Sequence, residues 1–289
     1  MNRISLIAFG LFLSGTFMTS CTQKTENEVV KTTPEAIVSK DDVFAGVNLT
    51  VSEGKRLIAK GIMAMPSVKE KLEKGMIIVT KGTTNTYIAE ELLNKSVEHG
   101  SFVIGHFAPE GQTPVNAEKK QMKEVVIKDG KVIDVGYDEA LKMLEPGDIV
   151  MKGGNLLNYS MKQAAVCIGA PNGGTTYKLL PYVGEGKAEL IIPIGLEKET
   201  TANLENLEKT LNAGNERLNS VPRLYLFRTG MVFTEIEAIR QFADVKVFPY
   251  GVGGVAGREG GVSLVISGKE TEVNKVLELV KTIQGERPF

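Results

Sequence analysis

The sequence predicts an α/β fold: a mainly parallel sheet with flanking helices, with a C-terminal ferredoxin-like α+β unit as the alternative for its last ninety residues. Three observations carry this. Short runs such as MIIVT (76–80) and ELIIPIGL (189–196) are apolar at successive positions, the pattern of strands buried on both faces. They alternate with segments of helical period such as TYIAEELLNK (86–95). Several of the runs end in glycine-rich turns.

Taken in order, KRLIAKGIMAM (55–65) and SVKEKLEKG (67–75) form a helix pair broken at Pro66. MIIVT is a strand, the segment 86–95 a helix, and SFVIGHF (101–107) a further strand. EVVIKDGKVIDV (124–135) is a hairpin, because Asp129-Gly130 between two β-rich runs is a strong turn signal. YDEALKML (137–144) is a short helix and DIVMKGG (148–154) a strand entering a glycine turn; AAVCIGA (164–170) and ELIIPIGL are strands. A helix over 199–214 leads into RLYLFRT (strand), TEIEAIRQFA (helix), VKVFPYG and GVSLVISG (strands) and a last helix from Glu270. The β-α-β-β-α order of that ending is most of a ferredoxin-like pattern. There is no internal repeat.

The N-terminus has a different character. Arg3 is the one charged side chain before Lys24, and the apolar core Ile4 to Leu13 is far shorter than the roughly 20 residues of a spanning helix. This predicts a signal peptide over 1–20. Met18-Thr19-Ser20-Cys21 resembles a bacterial lipobox, so Cys21 is the expected lipidation site and a membrane the expected partner. Thr22, where an Asp would retain a lipoprotein at the inner membrane, points to the outer membrane of a Gram-negative cell. Residues 21–42 are polar, without aromatic residues, and read as a flexible tether. The folded part then divides into an α/β domain over 43–198 and an α+β domain over 199–289.

Composition narrows the function. Net charge is −1 and no basic run stands out, which argues against a nucleic-acid partner. With Cys21 lipidated, Cys167 has no partner, and its apolar surroundings suit a small buried hydrophobe better than a nucleophile. The two histidines, His99 and His106, lie in no metal-spaced cluster, so no metal is expected. No nucleophile elbow G-x-S-x-G occurs. The glycines of 251–261 match a dinucleotide loop in number, but a strand follows where that motif requires a helix, so no cofactor is implied.

Three glycine-rich turns remain. Gly82, Thr83, Thr84 and Asn85 stand between a strand and a helix, where they either meet an anion or cap the helix. Lys152, Gly153, Gly154 and Asn155 follow a strand, at the end where open α/β sheets collect ligands; a solvent-facing lysine is the alternative. Gly169 to Thr176 is either an oxyanion loop or ordinary Pro-Asn-Gly-Gly turn chemistry.

Two of these turns carry a resemblance. IVTKGTTNTYIAEEL is similar to the first strand–loop–helix of the superfamily of ribose-phosphate isomerases, glucosamine-phosphate deaminases and CoA-transferases, and to the sugar-phosphate-sensing domains of some bacterial repressors. DIVMKGGNLLN is similar to the Lys-Gly-Gly-Gly segment of the isomerases. The resemblance spans about residues 75 to 170 and implies that Thr83 and Thr84 bind an anionic group while Lys152 and Gly153 line a pocket. The isomerases' glutamate base is missing, for Tyr159 to Gln163 occupies its stretch, and so is their Asp-Gly-Ala-Asp-Glu segment. The whole body, with the ending EGGVSLVISG, also resembles a family of bacterial and archaeal proteins that carries no functional implication. The expectation is a lipoprotein that binds a small anionic molecule without catalysis. The alternative is an isomerase- or transferase-like enzyme for a small phosphorylated or carboxylated metabolite, with Glu197 or Glu259 as its base.

Overall fold

The computed structural model describes residues 38–107, 112–218 and 221–289. The expected signal peptide, Cys21 and most of the tether lie outside them. In chain order the first half contains β1 (Val43–Leu49), α1 (Val51–Ala64), α2 (Pro66–Glu73), β2 (Met76–Val79), α3 (Thr83–Leu93), β3 (Val125–Lys128), β4 (Lys131–Val132), α4 (Tyr137–Lys142) and β5 (Ile149–Met151). The second half contains β6 (Leu156–Asn158), β7 (Gln163–Ile168), α5 (Gly174–Leu179), β8 (Glu189–Pro193), α6 (Leu204–Asn212), β9 (Arg223–Leu226), β10 (Met231–Phe233), α7 (Glu235–Arg240), β11 (Lys246–Val252), β12 (Val262–Gly268) and α8 (Glu270–Lys281).

The fold is mixed α/β. Its centre is a six-stranded sheet in the order β10-β8-β5-β2-β3-β4. The first four strands run parallel, and β3 and β4 add an antiparallel hairpin at one edge. Every residue of β2 and β5 is buried, which is why those runs are apolar throughout rather than alternating. The hairpin turns at Asp129 (φ 48°) and Gly130 (φ 75°); two successive left-handed residues match the twist of the paired strands.

Two further three-stranded sheets, β1-β12-β11 and β6-β7-β9, are antiparallel throughout. Parallel strand pairing is therefore confined to four strands of the large sheet, from β10 at its edge to β2, and the expectation of a mainly parallel fold is corrected to that extent. The ferredoxin-like ending is corrected as well. The strands of 199–289 are shared among all three sheets: β9 pairs with β7, β10 with β8, and β12 with β1 at the start of the fold. Within this segment β11 and β12 pair with each other, and Val38–Phe289 forms one compact unit. SFVIGHF is not a strand. Phe102 and Val103 are buried, but the Phe102 carbonyl accepts from Gly82 N–H (2.9 Å), so the segment crosses the end of the sheet instead of joining a ladder.

Helix α1 holds the layers together by packing on α3 and α7. Thr50 and Glu53 form a reciprocal capping box at its start. Arg56 projects from it to Glu90, Glu91 and Glu286, tying down the C-terminal tail, where Tyr87 also donates to the Arg287 carbonyl (3.2 Å) and His99 stacks on Phe289 (4.7 Å). Among the described residues no helix is long and apolar enough to cross a membrane.

Because β2, β5, β8 and β10 are parallel, their carboxyl ends share one edge of the sheet. β3 is antiparallel to β2, with Val125 opposite Val79, so its first residues reach the same edge. Open α/β sheets place their ligands there.

Candidate functional site

Three of the four parallel strands that end at this edge are followed at once by polar residues. Thr80 follows β2, Lys152 follows β5, Thr234 and Glu235 follow β10, and Glu124 immediately precedes β3. After β8 come Ile194 and Gly195, then a single tight helical turn, Leu196–Lys198, that carries Glu197 and Lys198. Lys55 reaches them from α1, with its ammonium 3.6 Å from a Glu197 oxygen.

Lys152 is 8% exposed, and its ammonium has neither a carboxylate partner nor a hydrogen bond among the described residues. Burial, then the charge of Lys198, lowers its pKa to about 8, against a weaker opposing pull from Glu124. Lys198 is held beside it by donating to the Gly154 carbonyl (3.1 Å). Lys55 is as buried, at 6%, but it has Glu197. Burial is also what lowers the pKa of Lys55 most, with Glu197 opposing.

Glu235 is 1% exposed. Its carboxylate accepts from Leu196 N–H (2.9 Å) and lies against Gly54, where a Cβ would come within 2.7 Å of its second oxygen. Glycine at 54 therefore makes room for the carboxylate. Burial, with the charge of Glu197 next, lifts its pKa far above the usual carboxylate range, so Glu235 holds its proton at neutral pH. With Glu235 neutral, Lys55, Lys152 and Lys198 gather at the edge with Glu197 and Glu124.

The first glycine turn meets this edge at the start of α3. Asn85 Nδ2 donates to the Thr80 carbonyl (2.8 Å) and to the Met151 carbonyl (3.2 Å), fixing α3 to the residue that precedes Lys152. No side chain caps the helix; Gly82 stands at the cap position. The amides of Thr83, Thr84 and Asn85 have no acceptor within the helix. Thr84 is 2% exposed, and its hydroxyl, like the Asn85 carbonyl oxygen, is buried without a partner among the described residues. Asn85 thus spends its amide on the two strands.

In the second turn Asn155 does the same. Its N–H donates to the Ala165 carbonyl (2.8 Å) and its side-chain oxygen accepts from Cys167 N–H (2.9 Å), joining the turn to β7. Gly153 and Gly154 line the path from Lys152 to that anchor. The third turn is turn chemistry: Asn172 accepts from Gly174 N–H (3.1 Å) beside two left-handed glycines. Glu259 accepts from Gly257 N–H (2.9 Å) inside its own loop, whereas Glu197 lies at the edge with Lys198. Burial pushes the half-buried Cys167 thiol up, away from nucleophilic chemistry.

The sequence reading named Thr84, Lys152 and Glu197 but not Lys55, Glu124, Lys198 or Glu235. A signal existed for the last two: IIPIGLEK and GMVFTE each place a charge within a few residues of an apolar strand, as DIVMK does for Lys152. Among the described residues there is no group of three or more His, Cys, Asp or Glu side chains able to hold a metal ion. Comparison of the chain with protein-family models, curated proteins and solved structures finds no match.

Proposed function

We propose that this chain is an exported lipoprotein, anchored through Cys21, whose domain binds a small anionic molecule at the carboxyl edge of its parallel strands. Lys152 carries the reading. Lys152 is largely buried with no carboxylate partner among the described residues, a position that gains from an anion supplying the missing charge. Lys198 beside it and the open amides at the start of α3 add donors of the same sign. The leader, the Met18-Thr19-Ser20-Cys21 motif and the polar tether support the anchoring.

The test is a thermal-shift series on the chain against phosphate, simple carboxylates, keto acids and sugar phosphates, repeated with Lys152→Ala. A stabilising anion whose effect disappears in the variant supports the site; one that is indifferent to the substitution places the site elsewhere. Anchoring is tested by metabolic labelling with a radioactive fatty acid, which Cys21→Ala should abolish while releasing the protein from membranes.

A second reading, an enzyme acting on such an anion, is favoured by one observation. Glu235, buried and holding its proton, has the charge of Glu197 beside it, and Glu197 lies 3.6 Å from the Lys55 ammonium, so the edge holds two carboxyl groups in unlike surroundings, as acid–base chemistry requires.

A further inference from the structure

The two buried lysines of the site differ in a way that simple charge binding does not require. Lys55 is paired with a carboxylate, as a lysine that only supports structure is expected to be. Lys152 has no carboxylate partner among the described residues, stands at a strand end followed by two glycines, and has a second ammonium, that of Lys198, held beside it. A desolvated amine next to another cation is the arrangement that turns lysine into a nucleophile. We infer that Lys152 forms a reversible Schiff base with a small carbonyl compound that also carries a carboxylate, an α-keto acid being the simplest case. This rests on the reading of the carboxyl edge as the ligand site.

The substrate class follows from what surrounds the amine. Lys198 and the uncapped start of α3, with the buried, unpartnered Thr84 hydroxyl, suit a carboxylate. Gly154 packs against the Ala165 carbonyl and Ile194, where a Cβ would come within 3.0 Å of each, so the turn after Lys152 stays tight. With its pKa near 8, about a tenth of Lys152 is free amine at pH 7, against about one part in three thousand for a solvated lysine.

The step balances without an oxidant. The amine lone pair attacks the carbonyl carbon, the C–O π bond opens, and a nitrogen proton passes to that oxygen to give a carbinolamine. Protonation of the hydroxyl by solvent and loss of water then leave the C=N⁺ bond. One amine, one carbonyl and one proton give one iminium and one water.

The experiment treats the full-length chain, purified in detergent, with glyoxylate, pyruvate or oxaloacetate and cyanoborohydride. Hydride reduces the iminium to a stable secondary amine, which peptide mass spectrometry locates. The expected result is one dominant adduct, on the peptide holding Lys152, at least tenfold above that on any other lysine, and absent from Lys152→Met. In Lys198→Met, which removes the neighbouring charge, the yield at pH 7 should fall severalfold and recover at higher pH. Thermal shifts with the same keto acids and with lactate, which has no carbonyl, run alongside without reductant. Binding of both kinds without a Lys152 adduct, or labelling spread evenly over surface lysines, overturns the Schiff base and leaves the anion site standing. Absence of binding and adduct together overturns both.

Discussion

Replacing Lys152 with methionine should stabilise the protein at neutral pH and lose that effect in base. Methionine has nearly the length of lysine and no charge, so it fills the space and removes the ammonium. Folding lowers the pKa of Lys152 from 10.5 to about 8, chiefly by burial and then by the charge of Lys198, with Glu124 opposing. The folded pKa lies below the unfolded one. The penalty is therefore complete below pH 8, shrinks as pH rises from about 8 towards 10.5, and is gone above it. At about 1.4 kcal/mol per tenfold change, Lys152→Met should gain about 3 kcal/mol at pH 7, about 2 kcal/mol at pH 9 and under about 0.5 kcal/mol at pH 10.5. Urea denaturation of both proteins at these pH values measures the difference, in which groups distant from Lys152 cancel. A variant less stable than the parent at pH 7, or a gain that does not change with pH, would show that the ammonium is paired in solution and would remove the basis of the site.

Three further outcomes are expected. Glu235 binds its proton more tightly folded than unfolded, so its contribution to stability is present at acid pH and lost as pH rises through the raised folded pKa; Glu235→Gln keeps the acceptor for Leu196 N–H and should flatten melting temperature between about pH 5 and 8, with the variant the more stable at the alkaline end. Gly61→Ala should lose about 1–3 kcal/mol in urea denaturation, because its Cβ would lie 2.5 Å from Ala238 across the contact of α1 with α7. Arg56→Ala removes the guanidinium shared by Glu90, Glu91 and Glu286; it should cost about 3 kcal/mol and expose the last four residues to carboxypeptidase, to which the parent should be the more resistant.

Local structure was legible wherever the chain decides it locally. The apolar runs at 76–79, 149–151 and 189–193, the Asp129-Gly130 hairpin, the break at Pro66 and the last helix are where their residues place them. What depends on distant partners was not. β1 is legible only through its seven pairs with β12, more than two hundred residues later, and β6 and β10 are three residues each, too short for a period. SFVIGHF has the composition of a strand, and its burial under the sheet edge satisfies the same hydrophobic demand without a ladder. At the site, the glycine turns pointed to Thr84 and Lys152. They could not separate Asn85 and Asn155, whose side chains bond to neighbouring strands, from ligand-facing amides, since a strand-end amide serves either purpose. Lys55 and Glu235 look like surface charges in sequence. Only the packing of α1 against α7 and the turn Leu196–Lys198 buries them.

That burial is the argument for function that does not depend on identifying a ligand. The ion pairs elsewhere are mostly of the inexpensive kind: Lys281 with Glu278, Lys178 with Asp138 and Lys123 with Asp134 are all about half or more exposed, and each contributes about 1 kcal/mol or less. The carboxyl edge does the opposite. It desolvates Lys152 without a partner, forces a proton onto Glu235, and places Lys198 where its charge raises the cost of Lys152. Apolar residues of similar size at these positions would make the fold more stable, as Lys152→Met is expected to show. A sequence that satisfies its capping boxes, hairpin turn and core elsewhere, and departs from those rules at the one sheet edge where α/β folds hold ligands, has placed its unfavourable electrostatics where an incoming anion or carbonyl compound would relieve them.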